Sequence, residues 1–284
     1  MERVSADLES VSLVRRALEE DHASQDATSF AVVPEGVQAR GRIVVRQTGV
    51  LAGTSLAELA FSLCDDSIEQ KWLAEDGDSV SEDEEIFSCL GPARALLAAE
   101  RTALNLLQQL SGVATLTARL VSRVKGEIQV LDTRKTVPGL RDAQKAAVLA
   151  GGGVNQRRDL EDELLLKENH FALSSLNYEE TVAQAVSSAG GKTVGVEAQS
   201  EEQALMALKQ GAAYILLDNY STTELPLAVT NIRSAFPGAI LEASGGFGEH
   251  NIAELCGSGV DRVSIGATTH SVSSLDLSFY LEVL

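Results

Sequence analysis

The chain has 284 residues, 44% of them hydrophobic, and a formal net charge of −18. That length supports one large domain or two ordinary ones, each with a sizeable core. The acidic balance argues against nucleic acid or an anionic membrane surface as a partner, because both demand a basic face. Cys64, Cys89 and Cys256 are odd in number and widely spaced, which favours neither a disulfide framework nor a zinc site and fits a reducing cytoplasm. The N-terminal stretch MERVSADLES lacks the apolar core of a secretory signal, and no run approaches a membrane span.

In chain order, helical spacing from Ser10 to Glu20 comes first. Extended segments follow near Gly41–Thr48, Gln70–Leu73 and Glu85–Leu90, with the turn Glu75-Asp76-Gly77-Asp78 among them. This mixture predicts an α+β domain of its own over residues 1–115, which the C-terminal tail is expected to join. The acidic run Ser81-Glu82-Asp83-Glu84-Glu85 reads as a solvated loop and is given no function. A long helix is predicted over Pro92–Leu110, with proline in the first turn where its missing N–H leaves no bond unmade, and it marks the domain junction.

Residues 116–284 have a different rhythm. Short apolar runs at Ile128–Leu131, Leu164–Lys167, Val194–Glu197, Tyr214–Asp218, Ile240–Ser244 and Arg262–Gly266 alternate with helical spacing at Leu140–Ala150, Tyr178–Ala189, Glu201–Gln210, Thr222–Phe236 and Asn251–Cys256. The strand ends Lys167, Glu197, Asp218, Ser244 and Gly266 recur at intervals of 21 to 30 residues, close to the length of a parallel βαβ unit. A chemically useful residue at each strand end favours a (β/α) barrel over a doubly wound sheet. Six strands make that barrel incomplete.

The stretch from Leu131 to His170 sets several cations into an acidic chain. Arg134 and Lys135 follow the first strand, Arg157 and Arg158 follow Gly151-Gly152-Gly153, and Lys167 ends the second strand. Two adjacent cations alone read best as a solvated turn. Here Asp132, Thr133 and Thr136 surround them and Pro138-Gly139 sets the exit, so the loop looks built to hold a shape and to bind a small polyanion. Arginine suits that task because its planar fork grips a carboxylate or phosphate through two charge-assisted bonds. Glu197 and Asp218 can be simple partners of Lys167; the functional alternative sets them against Mg²⁺ or a developing carbocation, as in chemistry on a phosphorylated sugar. Ser244-Gly245-Gly246 and Gly266-Ala267-Thr268 are small-residue loops of the kind that offer backbone N–H groups to a phosphate, with His270 beside the second. His170 reads as a supporting residue.

The runs ERTALNLLQQLSGVAT (100 to 115), LDTRKTVPGLR (131 to 141), GGGVNQR (151 to 157), LLLKENH (164 to 170), VGVEAQS (194 to 200), ILLDN (215 to 219), EASGG (242 to 246) and VDRVSIGATTHSVSSLDLS (260 to 278) together resemble the quinolinate phosphoribosyltransferases, in the family's order and spacing. The N-terminal part is similar only loosely, through LEEDHASQDATS and GVLAG, and no role is carried to His22–Gln25, where the family usually has glycines.

The resemblance implies phosphoribosyl transfer from phosphoribosyl pyrophosphate to quinolinate with decarboxylation, giving nicotinate mononucleotide, pyrophosphate and CO₂, with Mg²⁺ required. It implies that Arg134, Arg157 and Lys167 bind the quinolinate carboxylates and that Lys135 contacts the diphosphate donor. Glu197 and Asp218 would address the ribose and the metal, through water or substrate. Ser244, Gly245, Gly246, Gly266 and His270 would hold the 5′-phosphate, and Arg101 would enter a partner subunit's pocket, making a homodimer whose subunits pair an N-terminal α+β sandwich domain with an incomplete α/β barrel. The chain departs from the family at Gln156, where the family has histidine before the arginine; Gln donates a hydrogen bond without carrying charge. Two other readings stand beside this one: a paralogue that binds or phosphoribosylates another acid because of Gln156, and a Schiff-base lyase using Lys167.

Overall fold

The computed structural model describes residues 8–284; residues 1–7, part of the stretch read above for a secretory core, lie outside them. The chain runs α1 (Leu8–Glu20), α2 (Ala27–Val32), β1 (Gln38–Val45), β2 (Gly49–Val50), α3 (Thr54–Cys64), β3 (Glu69–Trp72), β4 (Ser79–Val80), β5 (Glu85–Pro92) and α4 (Ala93–Arg123). It continues through β6 (Gln129–Leu131), α5 (Arg141–Ala150), β7 (Leu164–Leu166), α6 (Glu168–Leu173), α7 (Tyr178–Ser188), β8 (Val194–Ala198), α8 (Glu201–Lys209) and β9 (Tyr214–Asp218). Last come α9 (Leu225–Ala235), β10 (Ile240–Ser244), β11 (Arg262–Ser264), α10 (Ala267–His270) and β12 (Leu277–Val283). Two compact units result. One takes the chain up to Leu116 with Val137–Gly152 and Ser271–Leu284, the other takes Thr117–Thr136 and Gly153–His270.

The first unit is built on a four-stranded antiparallel sheet, β12-β1-β5-β3. Its strands alternate buried and exposed positions, so one face carries a core that includes Phe61 and Phe87, whose rings stack with centroids 5.2 Å apart. The α1 stripe adds Val14 and Leu18 to that core, and Asp26 caps α2 by accepting from the backbone N–H of Thr28 and Ser29 at 3.1 Å each. The C-terminal strand β12 lies antiparallel to β1, from Ala39 opposite Val283 to Val45 opposite Leu277. α5 also belongs here, burying Ala147 and Val148 in the same core, and Gly151 and Gly152 end it.

α4 differs from the helix expected over Pro92–Leu110. Pro92 closes β5, the helix starts at Ala93, and it runs on to Arg123. Ser111-Gly112 looks like a breaker in sequence but has other reasons to be there. The Ser111 hydroxyl accepts from the Ala52 N–H at 3.0 Å, and a Cβ on Gly112 would collide with the backbone at Ser273. Beyond them Val113, Ala114, Leu116 and Leu120 keep the apolar stripe buried, so the helix continues.

The second unit is a six-stranded parallel sheet in the order β6-β11-β10-β9-β8-β7. The first strand, β6, pairs with the last, β11, as it does around a closed barrel, while β6 and β7 leave the ring open. Val154 alone bridges Leu131 at that opening, because the chain between β6 and β7 spends Val137–Gly152 in the first unit. This is an incomplete α/β barrel. Register sets Tyr214 beside Gly195 and Ile240, Glu242 beside Leu216 and Arg262, and Ser244 beside Asp218 and Ser264. Gly195 has no side chain because the Tyr214 ring fills the space a Cβ would need. Among the described residues no helix is long and apolar enough to cross a membrane.

Candidate active site

Parallel strands deliver their next residues to one end of a sheet, and here those residues carry the charge. Lys167 follows β7, Glu197 lies in β8, Asp218 ends β9 and Ser244 ends β10. The ammonium of Lys167 forms an ion pair with the Glu197 carboxylate, whose side chain is only 4% exposed. Glu168, one residue on, bonds the same carboxylate. Burial, then Glu168, push Glu197 above the ordinary carboxylate range, against the pull of Lys167. Asp218 is also raised, by burial first, although Lys167, the Ser244 hydroxyl and Lys135 each favour its ionised form. Lys167, Glu168, Glu197, Asp218, Ser244 and Lys135 therefore form one electrostatic group. Two carboxylates held partly dry beside cations suit a reaction that develops positive charge between them.

The adjoining loops are shaped by backbone geometry. Gly245 and Gly246 have φ of 93° and 69°, and a Cβ on Gly245 would strike Asn219, itself left-handed at φ 59°. Asn219 ties the two strand ends together, its N–H donating to the Ser244 carbonyl at 2.9 Å and its side-chain amide to Asp218 at 2.5 Å. A Cβ on Gly266 would sit 2.9 Å from Lys135 Cδ and 3.1 Å from His270 Nε2, so these two basic side chains close over one glycine. The Thr269 hydroxyl donates to the Lys135 carbonyl at 2.8 Å and the Lys135 N–H to Thr133 Oγ1 at 3.0 Å, which fixes the loop carrying Arg134 and Lys135.

Buried Asp132 accepts the Gln156 N–H at 2.9 Å and so joins the Arg134 loop to the Gln156-Arg157 pair. Gln156 Nε2 donates to Glu242 Oε1 at 2.5 Å, and Arg157 donates to the Glu163 carbonyl at 3.2 Å. The Arg158 side chain pairs with Asp159 at 3.1 Å, and its main-chain N–H donates to Asp162 at 2.8 Å. His170 Nδ1 accepts the Lys167 N–H at 2.9 Å, a supporting role that stiffens the start of α6. Arg101 stands in the first unit on α4, 57% exposed and 3.7 Å from Glu100. Sequence reasoning passed over Glu168 and Asn219, although both lie inside the quoted runs LLLKENH and ILLDN. It also missed Glu242 and Arg262, because charged residues within apolar strands give no periodic signal.

Among the described residues no three or more His, Cys, Asp or Glu side chains gather as a metal cage. Glu197 and Asp218 fit a hard divalent cation only in the form in which substrate phosphates and water complete its shell.

The C-terminal domain model of quinolinate phosphoribosyl transferase matches residues 113–280, and its N-terminal domain model matches residues 26–111. The chain is 39% identical over 273 residues to a nicotinate-nucleotide pyrophosphorylase [carboxylating] of Mycobacterium leprae, covering 94% of this chain and 95% of that protein. It is also 39% identical to a probable enzyme of that name from Bacillus subtilis, over 91% of this chain and 89% of the relative. The solved structure of the nicotinate-nucleotide pyrophosphorylase from Francisella tularensis superposes with a TM-score of 0.91 at 34% identity, over 99% of this chain and 100% of the other. With both domain models matched in order and the strand-end cluster in place, the chain belongs to the quinolinate phosphoribosyl transferase family.

Proposed function

We propose that this chain catalyses phosphoribosyl transfer from phosphoribosyl pyrophosphate to quinolinate, releasing pyrophosphate and CO₂ and yielding nicotinate mononucleotide. The observation that carries this reading is the group Lys167, Glu168, Glu197, Asp218, Ser244 and Lys135, in a chain whose relatives are named for that chemistry. The quinolinate ring nitrogen attacks the anomeric carbon while the carbon–oxygen bond to pyrophosphate breaks. Positive charge grows on the ribose, and Glu197 or Asp218 stabilises it at close range. The ring nitrogen of the adduct is cationic and stabilises the carbanion left on the adjacent carbon when its carboxylate departs as CO₂, and a proton taken up from water at that carbon completes nicotinate mononucleotide. Catalysis then rests on positioning and electrostatics, with no protein nucleophile.

Arg134, Arg157 and Lys167 grip the two carboxylates of the acid, with Gln156 beside them. Lys135 meets the diphosphate, and Ser244, Gly245, Gly246, Gly266 and His270 hold the 5′-phosphate. Glu197 and Asp218 would hold Mg²⁺ through water or the substrate, and the metal would supply charge neutralisation at the pyrophosphate. The working form is a cytoplasmic homodimer in which Arg101 completes the partner's site.

A Schiff-base reading needs Lys167 as a free amine, whereas its nitrogen is engaged as an ammonium by Glu197. Borohydride added during turnover is expected to trap nothing on Lys167; trapped substrate there would replace the transferase reading. Incubation with quinolinate, the pyrophosphate donor and Mg²⁺ is expected to release CO₂ and nicotinate mononucleotide, and a folded protein giving neither would overturn it.

A further inference from the structure

A polar layer lies inside the six-stranded sheet, below the strand-end residues. Glu242 is fully buried in β10, and its Oε2 stands 2.8 Å from Arg262 Nε in β11, an ion pair set off the ideal hydrogen-bond direction. The Arg262 guanidinium lies 4.2 Å above the centre of the Tyr214 ring, and the Tyr214 hydroxyl donates to Glu163 Oε1 at 2.6 Å. Both ends of this layer reach toward the acid-binding loop. Glu242 Oε1 takes the side-chain amide of Gln156, and the Glu163 carbonyl takes Arg157.

Such a layer is costly to bury. Burial pushes Glu242 toward its protonated form, and Arg262, the Ser264 hydroxyl and the Gln156 amide pull the other way. Glu242 Oε1 accepts from Gln156 Nε2, so the Gln156 amide turns its nitrogen toward Glu242. That choice fixes the rotamer of a residue whose main-chain N–H is already fixed by Asp132. Arg262 balances the charge of Glu242, so the residue at 156 works there without adding a second cation.

We propose that Glu242 and Arg262 are positioning residues that hold the Gln156 amide against the acid substrate, making position 156 a neutral, orientation-locked contact in place of a charged one. The inference rests on the transferase reading given above. Neither residue touches substrate; each acts through Gln156. Removing the lock is expected to weaken capture of the acid and leave capture of the phosphoribosyl donor alone.

The test is steady-state kinetics on the full-length protein with quinolinate and phosphoribosyl pyrophosphate. Turnover by the unaltered protein establishes the reading on which the inference rests; its absence overturns both. In Glu242→Gln the acceptor that orients Gln156 becomes a neutral amide able to donate as well as accept, and KM for quinolinate is expected to rise roughly three- to tenfold, the worth of one weakened hydrogen bond, with KM for the donor unchanged. Gln156→Leu should give a rise of the same size. The double variant should add little to either, because both changes break one contact. If Glu242→Gln fails to fold, Glu242→Leu with Arg262→Met removes both charges together, an exchange that buried pairs often tolerate. The proposal is overturned if quinolinate KM stays put in these variants, if both KM values rise alike, or if the double variant multiplies the single effects.

Discussion

Glu197 is a buried carboxylate whose ionised form the fold disfavours. Its folded-state affinity for a proton exceeds its unfolded-state affinity, because burial and Glu168 outweigh Lys167. A raised carboxylate contributes most to stability when protonated, and that contribution is lost as pH rises through the raised value. Ionised Glu197 therefore costs stability at neutral pH. Glu197→Gln removes the charge but keeps groups that can bond Lys167 and Glu168. Melting of this variant is expected at the same or a higher temperature, while kcat falls about 100- to 1,000-fold, the scale of losing one preorganised electrostatic contact. A variant that melts much earlier, or that keeps full activity, would remove Glu197 from this role. The same argument sets the acid limit of activity. Asp218 and Glu197 must be ionised to stabilise the developing charge, and both lie above their ordinary values of 3.8 and 4.5. The fall in kcat/KM on acidification is expected to centre above those values, and a fall centred at or below them would contradict the assignment.

At the scale of elements, the strands of the second unit and the loops after them explain the site better than any single residue. Gly266 shows how tightly the β11 exit is built, with Lys135 and His270 closed over it. Gly266→Ala needs no forbidden backbone angle, so its added methyl must displace Lys135 or His270. KM for the phosphoribosyl donor is expected to rise roughly tenfold with the fold retained, as one charge-assisted bond weakens. An unchanged KM would separate Lys135 and His270 from donor binding. These strands were legible in the sequence because each is a short apolar run ended by a polar residue. The expected runs and β6 to β11 agree to within a few residues, and the expected helices at Leu140–Ala150, Tyr178–Ala189 and Glu201–Gln210 sit where α5, α7 and α8 do. What failed had physical causes. Gly112 answers a close approach at Ser273 and says nothing about the end of α4. The partner strand of β12, more than 230 residues away, is beyond any local pattern, although the C-terminal tail is expected to join the first domain. Glu242 and Arg262 interrupt apolar strands and make sense only once the register sets them side by side.

For the whole molecule, the acidic surface and the local cations divide the work. A net charge of −18 repels loosely bound polyanions, so a site for anionic substrates must concentrate its cations, as Lys135 and Lys167 are concentrated beside Asp218. Arg101, exposed on α4, is the cation proposed to come from a second subunit. Co-expression tests this. Arg101→Ala and Asp218→Asn should each be nearly inactive alone, and the co-expressed population should recover roughly a quarter of full activity, since about half of its dimers are mixed and each of those has one intact site of two. No recovery from dimers shown to be mixed would return Arg101 to its own subunit. The most direct test of the central claim is the stoichiometry of turnover by the purified protein with quinolinate, phosphoribosyl pyrophosphate and Mg²⁺. CO₂, pyrophosphate and nicotinate mononucleotide are expected in equal amounts, each dependent on both substrates; pyrophosphate released without CO₂, or no product from folded protein, would contradict it.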